Sequence, residues 1–265
     1  MPSTYAHYRF GNDVLQSLSL SWKRSILSRR DLFDIGVHGP DLFFFYRPFS
    51  SNSVSAIGFD THAQAGRIFF EHASRTIAAS GFNPAALAYA GGLLTHFALD
   101  SVCHPYVEQQ VRDGGPAHME MEVSFDRFLL LRDGLDPAGQ RLCDHVLPSA
   151  ENAAVIAPFF PPATAPQVLT AARSFVRYNN WLVAPGGAKR LLVRSAMKLS
   201  GNDRQLRHLL IPLTQNEACI DTDRELWALY RQALVLAGEL FTELENHLHG
   251  SGSLGKAFDH TFDEN

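Results

Sequence analysis

Cysteine is scarce in this chain. Cys103, Cys143 and Cys219 are the only three, odd in number and far apart, which excludes a disulfide framework and a Cys-rich zinc module. Charge is sparse too: 19% of residues are charged, with a net charge of -4 and a pI near 6.3. No bulk electrostatic attraction to nucleic acid follows, and no nucleic-acid partner is expected. No run approaches the roughly 18 consecutive apolar residues of a membrane helix, since GGLLTHFAL is broken by Thr95 and His96, so no transmembrane segment is expected. The opening MPSTYAHYRFGND has neither the basic region nor the apolar stretch of a secretory signal, and the expected location is cytoplasmic. Alternation of apolar and polar residues is rare, so little β-structure is expected. A nucleophilic serine motif, a Gly-rich phosphate loop, a CxxC pair and an internal repeat are all missing.

What is present is a core and a helical period. The chain has 265 residues, 46% of them hydrophobic, with 19 Phe, which is enough to bury a core and excludes disorder. Ala and Leu recur at three- and four-residue spacing, and the expected fold is all-α, a single multi-helix domain over residues 1–250 with a buried central helix. Asp60 is placed to cap a helix over 61–80 that ends at Gly81. Asn83-Pro84 opens the next, which Pro105 is expected to close after His104. Further helices are expected over 117–133, 148–156, 166–183, 187–199 and 221–249. The stripe of Leu226, Leu229, Tyr230, Ala233, Leu236, Ala237, Leu240 and Leu244 in the last reads as core. The remainder, GSGSLGKAFDHTFDEN at 250–265, reads as a flexible tail from 251 onward.

Histidine is the unusual residue: there are 12, and seven fall in the first 118 positions. The helix PAALAYAGGLLTHFALDSVCH is apolar almost all round, yet carries His96, Asp100 and His104 at i, i+4 and i+8. Each step drifts only about 40° around the helix, so the three form one stripe. Burying a carboxylate and two imidazoles costs several kcal/mol unless something compensates them. A metal ion is the simplest compensation, because neutral imidazole and carboxylate suit zinc. His118 and Glu122 repeat the spacing one turn of chain later, and two antiparallel helices would bring both stripes face to face. Asp126 continues that side, as an outer acceptor orienting an imidazole or as part of a solvated face.

Three upstream fragments can complete the site. His7 lies in STYAHYRFG, His38 and Asp41 in HGPDLFFFY, and His62 in GFDTHAQAG. HGPD is a turn able to aim His38 and Asp41 into a cavity, with His38 either a ligand or a partner for backbone. The LFFFY run is either core or a lipid-contact surface, with core the better fit. His72 is assigned to core or surface.

HFALDSVCHPY followed by HMEMEVSFD, with AHYRFG and HGPD upstream, resembles the bacterial zinc-dependent phospholipase C family over about residues 1–130. The resemblance implies an all-helical fold around a cleft holding three zinc ions, and two or three are expected in this chain. It assigns Asp41, His62, His96 and Asp100 to one zinc and His104, His118 and Glu122 to a second. Asp100 would bridge to a third, held also by His7 and the terminal amine, which is that of Pro2 once Met1 is removed. The alternative is that His7 only hydrogen-bonds within the core.

The function this implies is a zinc-dependent phosphodiester hydrolase acting on phospholipid or another polar phosphodiester, with peripheral membrane contact compatible with such a substrate. A metal-activated water attacks phosphorus, and Asp41 both ligates zinc and accepts the proton. Two alternatives use the same residues: a single-strand nuclease or nucleotide phosphatase, and a non-catalytic metal-stabilised scaffold.

Overall fold

The computed structural model describes residues 4–199 and 209–263. Among these, every regular element is helical. The α-helices are α1 (Thr4–Ser17), α2 (Leu20–Ser28), α3 (Arg30–Gly36), α4 (Ser53–Ala63), α5 (Gly66–Ala79) and α6 (Pro84–Arg112). They continue with α7 (His118–Arg132), α8 (Ala150–Ile156), α9 (Ala165–Leu182), α10 (Gly187–Leu199) and α11 (Ile220–Leu248). A 3-10 helix at Gly39–Phe45 follows α3. The only β-type pairing among the described residues is one antiparallel bridge, Ala65 to Thr261.

Helix α6 is the axis of the fold, and α1, α2, α3 and α11 pack around it. The Asn83 side chain accepts from the Ala85 amide at its start, with Pro84 in the first turn. By length and composition α6 could cross a membrane, with a mean hydropathy of 1.2, but 89% of that window is buried inside the protein. Its apolar surface is therefore spent on core.

Two glycines set how close its neighbour comes. A Cβ on Gly36 would lie 2.4 Å from the Tyr89 carbonyl oxygen, and one on Gly92 would lie 2.3 Å from that of Phe33. The backbones of α3 and α6 thus cross almost in contact, which no larger residue at either position permits.

Helix α6 does not stop at His104. It runs through Pro105 to Arg112. Pro105 is exposed, so its ring and the helical hydrogen bond it cannot donate fall on the outer side of α6 and not in the core.

The expected helix over 61–80 is likewise two helices. Asn52, not Asp60, caps the first, accepting from the Val54 and Ser55 amides. The break falls at Gln64-Ala65, where Ala65 is extended and the Gly66 amide donates to the His260 carbonyl. His62 and His72 therefore sit on different helices.

That same pairing corrects the expected tail. Leu254, Phe258 and Phe262 are buried in the main core. Phe258 packs against Phe70 and Phe97, and Phe262 against Phe97 with ring centroids 4.9 Å apart. Arg67 ties the segment down through Asp259 and the carbonyls of Leu254 and Gly255. Glycine and serine at 250–255 resemble linker composition, while two phenylalanines four residues apart supply the burial that makes it structure. The long stripe of α11 is core as expected: Leu226, Tyr230, Ala233, Ala237, Leu240 and Leu244 are buried, with Leu229 and Leu236 partly so.

Phe258→Ala should lower unfolding free energy by about 3–5 kcal/mol, the usual cost of emptying a buried aromatic site. Urea unfolding followed by circular dichroism measures it. A loss under about 0.5 kcal/mol would mean that 254–263 is a detached tail after all.

Candidate metal centre

Five parts of the chain meet on one face of α6. His96, Asp100 and His104 lie on it in successive turns, all buried. Helix α1 brings His7, the 3-10 helix brings Asp41, the end of α4 brings His62, and α7 brings His118 and Glu122. All eight residues expected as ligands thus converge.

Asp100 is the hub. Its Oδ1 lies 3.2 Å from His7 Nε2 and 3.9 Å from His104 Nε2. Its Oδ2 lies 2.9 Å from His96 Nε2 and 3.9 Å from His62 Nε2. Asp41 Oδ1 is 3.1 Å from His62 Nε2 and 4.0 Å from His96 Nε2. At the far end, Glu122 Oε1 is 2.6 Å from His118 Nε2 and 3.6 Å from His104 Nε2. Three groups have ligand atoms within 4.8 Å of one another: His7, His96 and Asp100; Asp41, His62 and His96; and His104, His118 and Glu122.

Two imidazoles, those of His62 and His96, are held by backbone with Nε2 aimed inward. His62 Nδ1 donates to the Gly58 carbonyl at 2.7 Å and His96 Nδ1 to that of Val37 at 3.2 Å. A proton fixed on Nδ1 leaves the Nε2 lone pair for a cation. Val37 is within reach because the α3–α6 glycine crossing brings it there. Gly39 extends the approach: its φ is +48°, and a Cβ there would lie 2.6 Å from the His96 ring. His118 Nδ1 pairs with Glu108 Oε1 at 2.5 Å, and His104 Nδ1 lies 3.4 Å from Asp263 Oδ1.

The residues fit a metal. Nε2 of His7, His62, His96 and His104, Oδ1 of Asp41 and both oxygens of Asp100 are buried, yet make no hydrogen bond of acceptable geometry despite their short separations. Folded proteins leave few buried polar atoms in that condition. Seven such atoms in one cluster are explained when lone pairs point at shared positions between the side chains instead of at each other. Imidazole nitrogen with carboxylate oxygen is a zinc donor set.

Electrostatics agree. Burial alone would raise the Asp100 pKa, but His96, His104 and His7 hold it well below the usual carboxylate range. Burial opposes charge on His104 as well, yet Asp100, Asp263 and Glu122 pull its pKa up to about 10. Such a site demands positive charge, whether as protons or as metal.

Other candidates sort differently. Asp126 is buried and accepts from the Tyr5 and Ala6 amides at 3.1 and 2.7 Å. It is not on a solvated face; by accepting from the first-turn amides of α1 it helps fix where His7 stands. His38 is turned away from the cluster, its Nε2 2.7 Å from His145 Nε2. His72 reaches the Pro158 carbonyl, outside the site. In the LFFFY run, Leu42 and Phe43 are buried and Phe45 and Tyr46 pack partly buried on the core. Met1 and Pro2, and with them the expected terminal amine, lie outside the described residues.

Sequence reasoning missed Glu108 and Asp263. Glu108 extends the stripe 96, 100, 104 by one more i+4 step, concealed by ending the helix at Pro105. Asp263 lay in the segment read as tail.

Residues 6–161 match the family model described as zinc dependent phospholipase C. No curated protein and no solved structure matches the chain. All eight converging residues, and Glu108, fall inside the matched range, whereas α9, α10, α11 and Asp263 fall outside it.

Two predictions follow from this geometry. Asp263→Asn removes the charge facing His104 Nδ1 and should weaken zinc affinity by about 10–100-fold in a chelator competition. Asp259→Asn, on the same segment but paired with Arg67, should leave it unchanged; equal affinity in both variants would refute the role of Asp263. The second concerns His145, whose pKa burial, aided by Arg30, pushes down from 6.5 to about 3. The folded state favours the neutral ring, so this stability is complete above pH 6.5 and is lost as pH falls toward about 3. His145→Phe should therefore make stability fall less steeply across that window in denaturant titrations at stepped pH. An unchanged slope would exclude the contribution.

Proposed function

The chain belongs to the zinc-dependent phospholipase C family, and we propose that it hydrolyses a phospholipid phosphodiester at a centre of two or three zinc ions. Membership makes it a phospholipase-like hydrolase; the substrate, the ion number and the roles below are the proposal. The observation that carries it is the single carboxylate of Asp100 shared by the imidazoles of His7, His62, His96 and His104. One tetrahedral ion cannot use eight ligand-type residues, whereas two or three ions, with Asp100 among the ligands of each neighbouring group, would use them.

His62, His96 and Asp41 would hold one zinc with Asp100, His104, His118 and Glu122 a second, and His7 with Asp100 a third. Zinc, when bound, supplies positive charge to the phosphoryl oxygens and lowers the pKa of water to about 7.

The protein's own groups do the rest. Asp41 has Oδ1 toward His62, on the side of the metal position, which leaves its other oxygen to accept the proton of the attacking water as phosphorus is attacked and the alkoxide leaves. Leu99, Val107, Phe125 and Leu226 form an apolar wall behind His104 and Glu122. They exclude water from that side and strengthen each charge interaction within. Access is from the other end: His118 is 25% exposed and Glu108 33%, while the remaining ligand-type side chains are buried. The phosphodiester would therefore enter from the His118 end, with the lipid body outside.

Zinc-loaded protein should cleave phosphatidylcholine in preference to single-stranded DNA, and Asp41→Asn should lower kcat by about 10²- to 10⁴-fold. Elemental analysis should find two or three zinc ions per chain. Cleavage of DNA but not lipid would assign a nuclease, and bound zinc with no cleavage of either, or of a chromogenic phosphodiester, would assign a scaffold.

A further inference from the structure

Helix α10 has a charge pattern opposed to that of the whole chain. Its sequence GAKRLLVRSAMKL carries Lys189, Arg190, Arg194 and Lys198 with no acidic residue, in a protein of net charge -4. Only Val193 and Met197 of this helix are buried, in a small apolar cluster with Ala184 and Leu210 that is separate from the main core.

The opposite side of the helix is apolar and bare. Leu191, Leu192 and Leu199 are 69%, 66% and 89% exposed. At 3.6 residues per turn they span an arc of about 100°, with Ser195 between them. Arg194 lies about 60° beyond one edge of that arc and Lys189 about 60° beyond the other, with Lys198 beside Leu191. No salt bridge among the described residues involves the four cations. Lys189 and Arg190 donate to the Val183 and Ile211 carbonyls, which are neutral partners.

Aromatic residues extend the patch. Phe49 and Trp181, both exposed, line a cavity of about 630 Å³ with Arg177, Tyr178 and the inner side of α10. On its other flank α10 meets α7, with Arg190 and Arg194 across a groove from Glu120 and Val123. Helix α7 carries His118, the accessible end of the metal cluster.

A leucine stripe edged by cations on both sides, with tryptophan and phenylalanine at its margin, has the chemistry of a helix lying in a lipid interface. Leucines enter the acyl boundary while the cations stay with the phosphates. We propose that α10, with Phe49 and Trp181, is the surface by which this protein docks on an anionic lipid bilayer. Charge decides between a bilayer and a second copy of the chain. A two-fold pair through this face would set each cationic flank against an identical one, which repels, whereas an anionic surface attracts every one of the four. The inference deepens the phospholipid reading and rests on it for why the protein should meet a membrane, but docking itself needs no chemistry.

The test therefore separates binding from hydrolysis. Zinc-loaded full-length protein is sedimented with vesicles of a neutral galactolipid, with or without about 30% phosphatidic acid. Such a bilayer is anionic but contains no phosphodiester to cleave. Binding should rise by about tenfold with the anionic lipid and fall with salt. Two double variants, Leu191→Ser with Leu192→Ser and Arg194→Glu with Lys198→Glu, should each lose about tenfold in binding. Both should keep their circular dichroism and their hydrolysis of a soluble short-chain phospholipid.

Vesicle binding that ignores anionic lipid, or survives in both variants, would overturn the proposal. So would a dimer, seen by light scattering, that the leucine variant abolishes while vesicles remain unbound. Hydrolysis of the short-chain lipid without vesicle binding sinks the docking surface alone; vesicle binding without hydrolysis keeps it and sinks the reading of the zinc centre.

Discussion

A carboxylate with both oxygens out of reach of water sits in the middle of the longest apolar helix of this protein. Asp100 has no exposure at all, and its neighbours at ion-pair distance are the imidazoles of His7, His62, His96 and His104. An anion in that position costs several kcal/mol unless positive charge faces it. Histidine can hold that charge as a proton or pass it to a metal, and a metal satisfies several lone pairs at once. Zinc binding would therefore be coupled to folding, since the site assembled by α1, α4, α6, α7 and the 3-10 helix does not exist in the unfolded chain.

Orientation comes from groups one step further out, and much of it from backbone. The near-contact of α3 and α6 at Gly36 and Gly92 delivers the Val37 carbonyl to His96. Helix α4 turns the Gly58 carbonyl onto His62, four residues on. A carbonyl fixed by helix geometry has no rotamer freedom, so these two rings are held more rigidly than a side-chain partner could hold them. Glu108 and Asp263 do the same task for His118 and His104 with charge, at the end of the cluster nearer solvent. Asp126 works at one further remove, accepting from the first-turn amides of α1 and so helping to fix where His7 stands.

Legibility followed periodicity. His96, Asp100 and His104, and His118 and Glu122, were readable because polar residues at i+4 on an apolar helix cannot be explained by the core they interrupt. Asp41, His62 and His7 were placed by resemblance, since no local period connects them. Errors arose where tertiary contact overrides a local signal. Pro105 ends most helices, but on an exposed side it costs α6 little, and ending the stripe there hid Glu108. The α4–α5 break has no marker in GFDTHAQAG; it exists because residue 260, far along the chain, takes the Gly66 amide. Glycine and serine around 250–255 concealed an anchored segment. His38 carries the same local signature as Asp41, yet the partner that claims it, His145, is more than a hundred residues away.

The buried ligand-type residues and the cationic face of α10 fall on opposite sides of the end of the family match. Within 6–161 lie the eight inward-facing ligand-type residues, where burial makes each charge interaction strong and specific. Outside it, α10 gathers four cations and three exposed leucines. There solvent screens each charge, and only their sum, together with apolar area, amounts to useful attraction. A lipid phosphodiester needs both regimes. In the proposed reaction the phosphate must reach buried ligand-type residues, while the acyl chains gain nothing by leaving the bilayer for a site whose exposed end is His118, Glu108 and Asp263. On the proposed phospholipid reading the protein comes to the membrane, and the proposed contact surface lies in the part of the chain that holds none of the ligand-type residues.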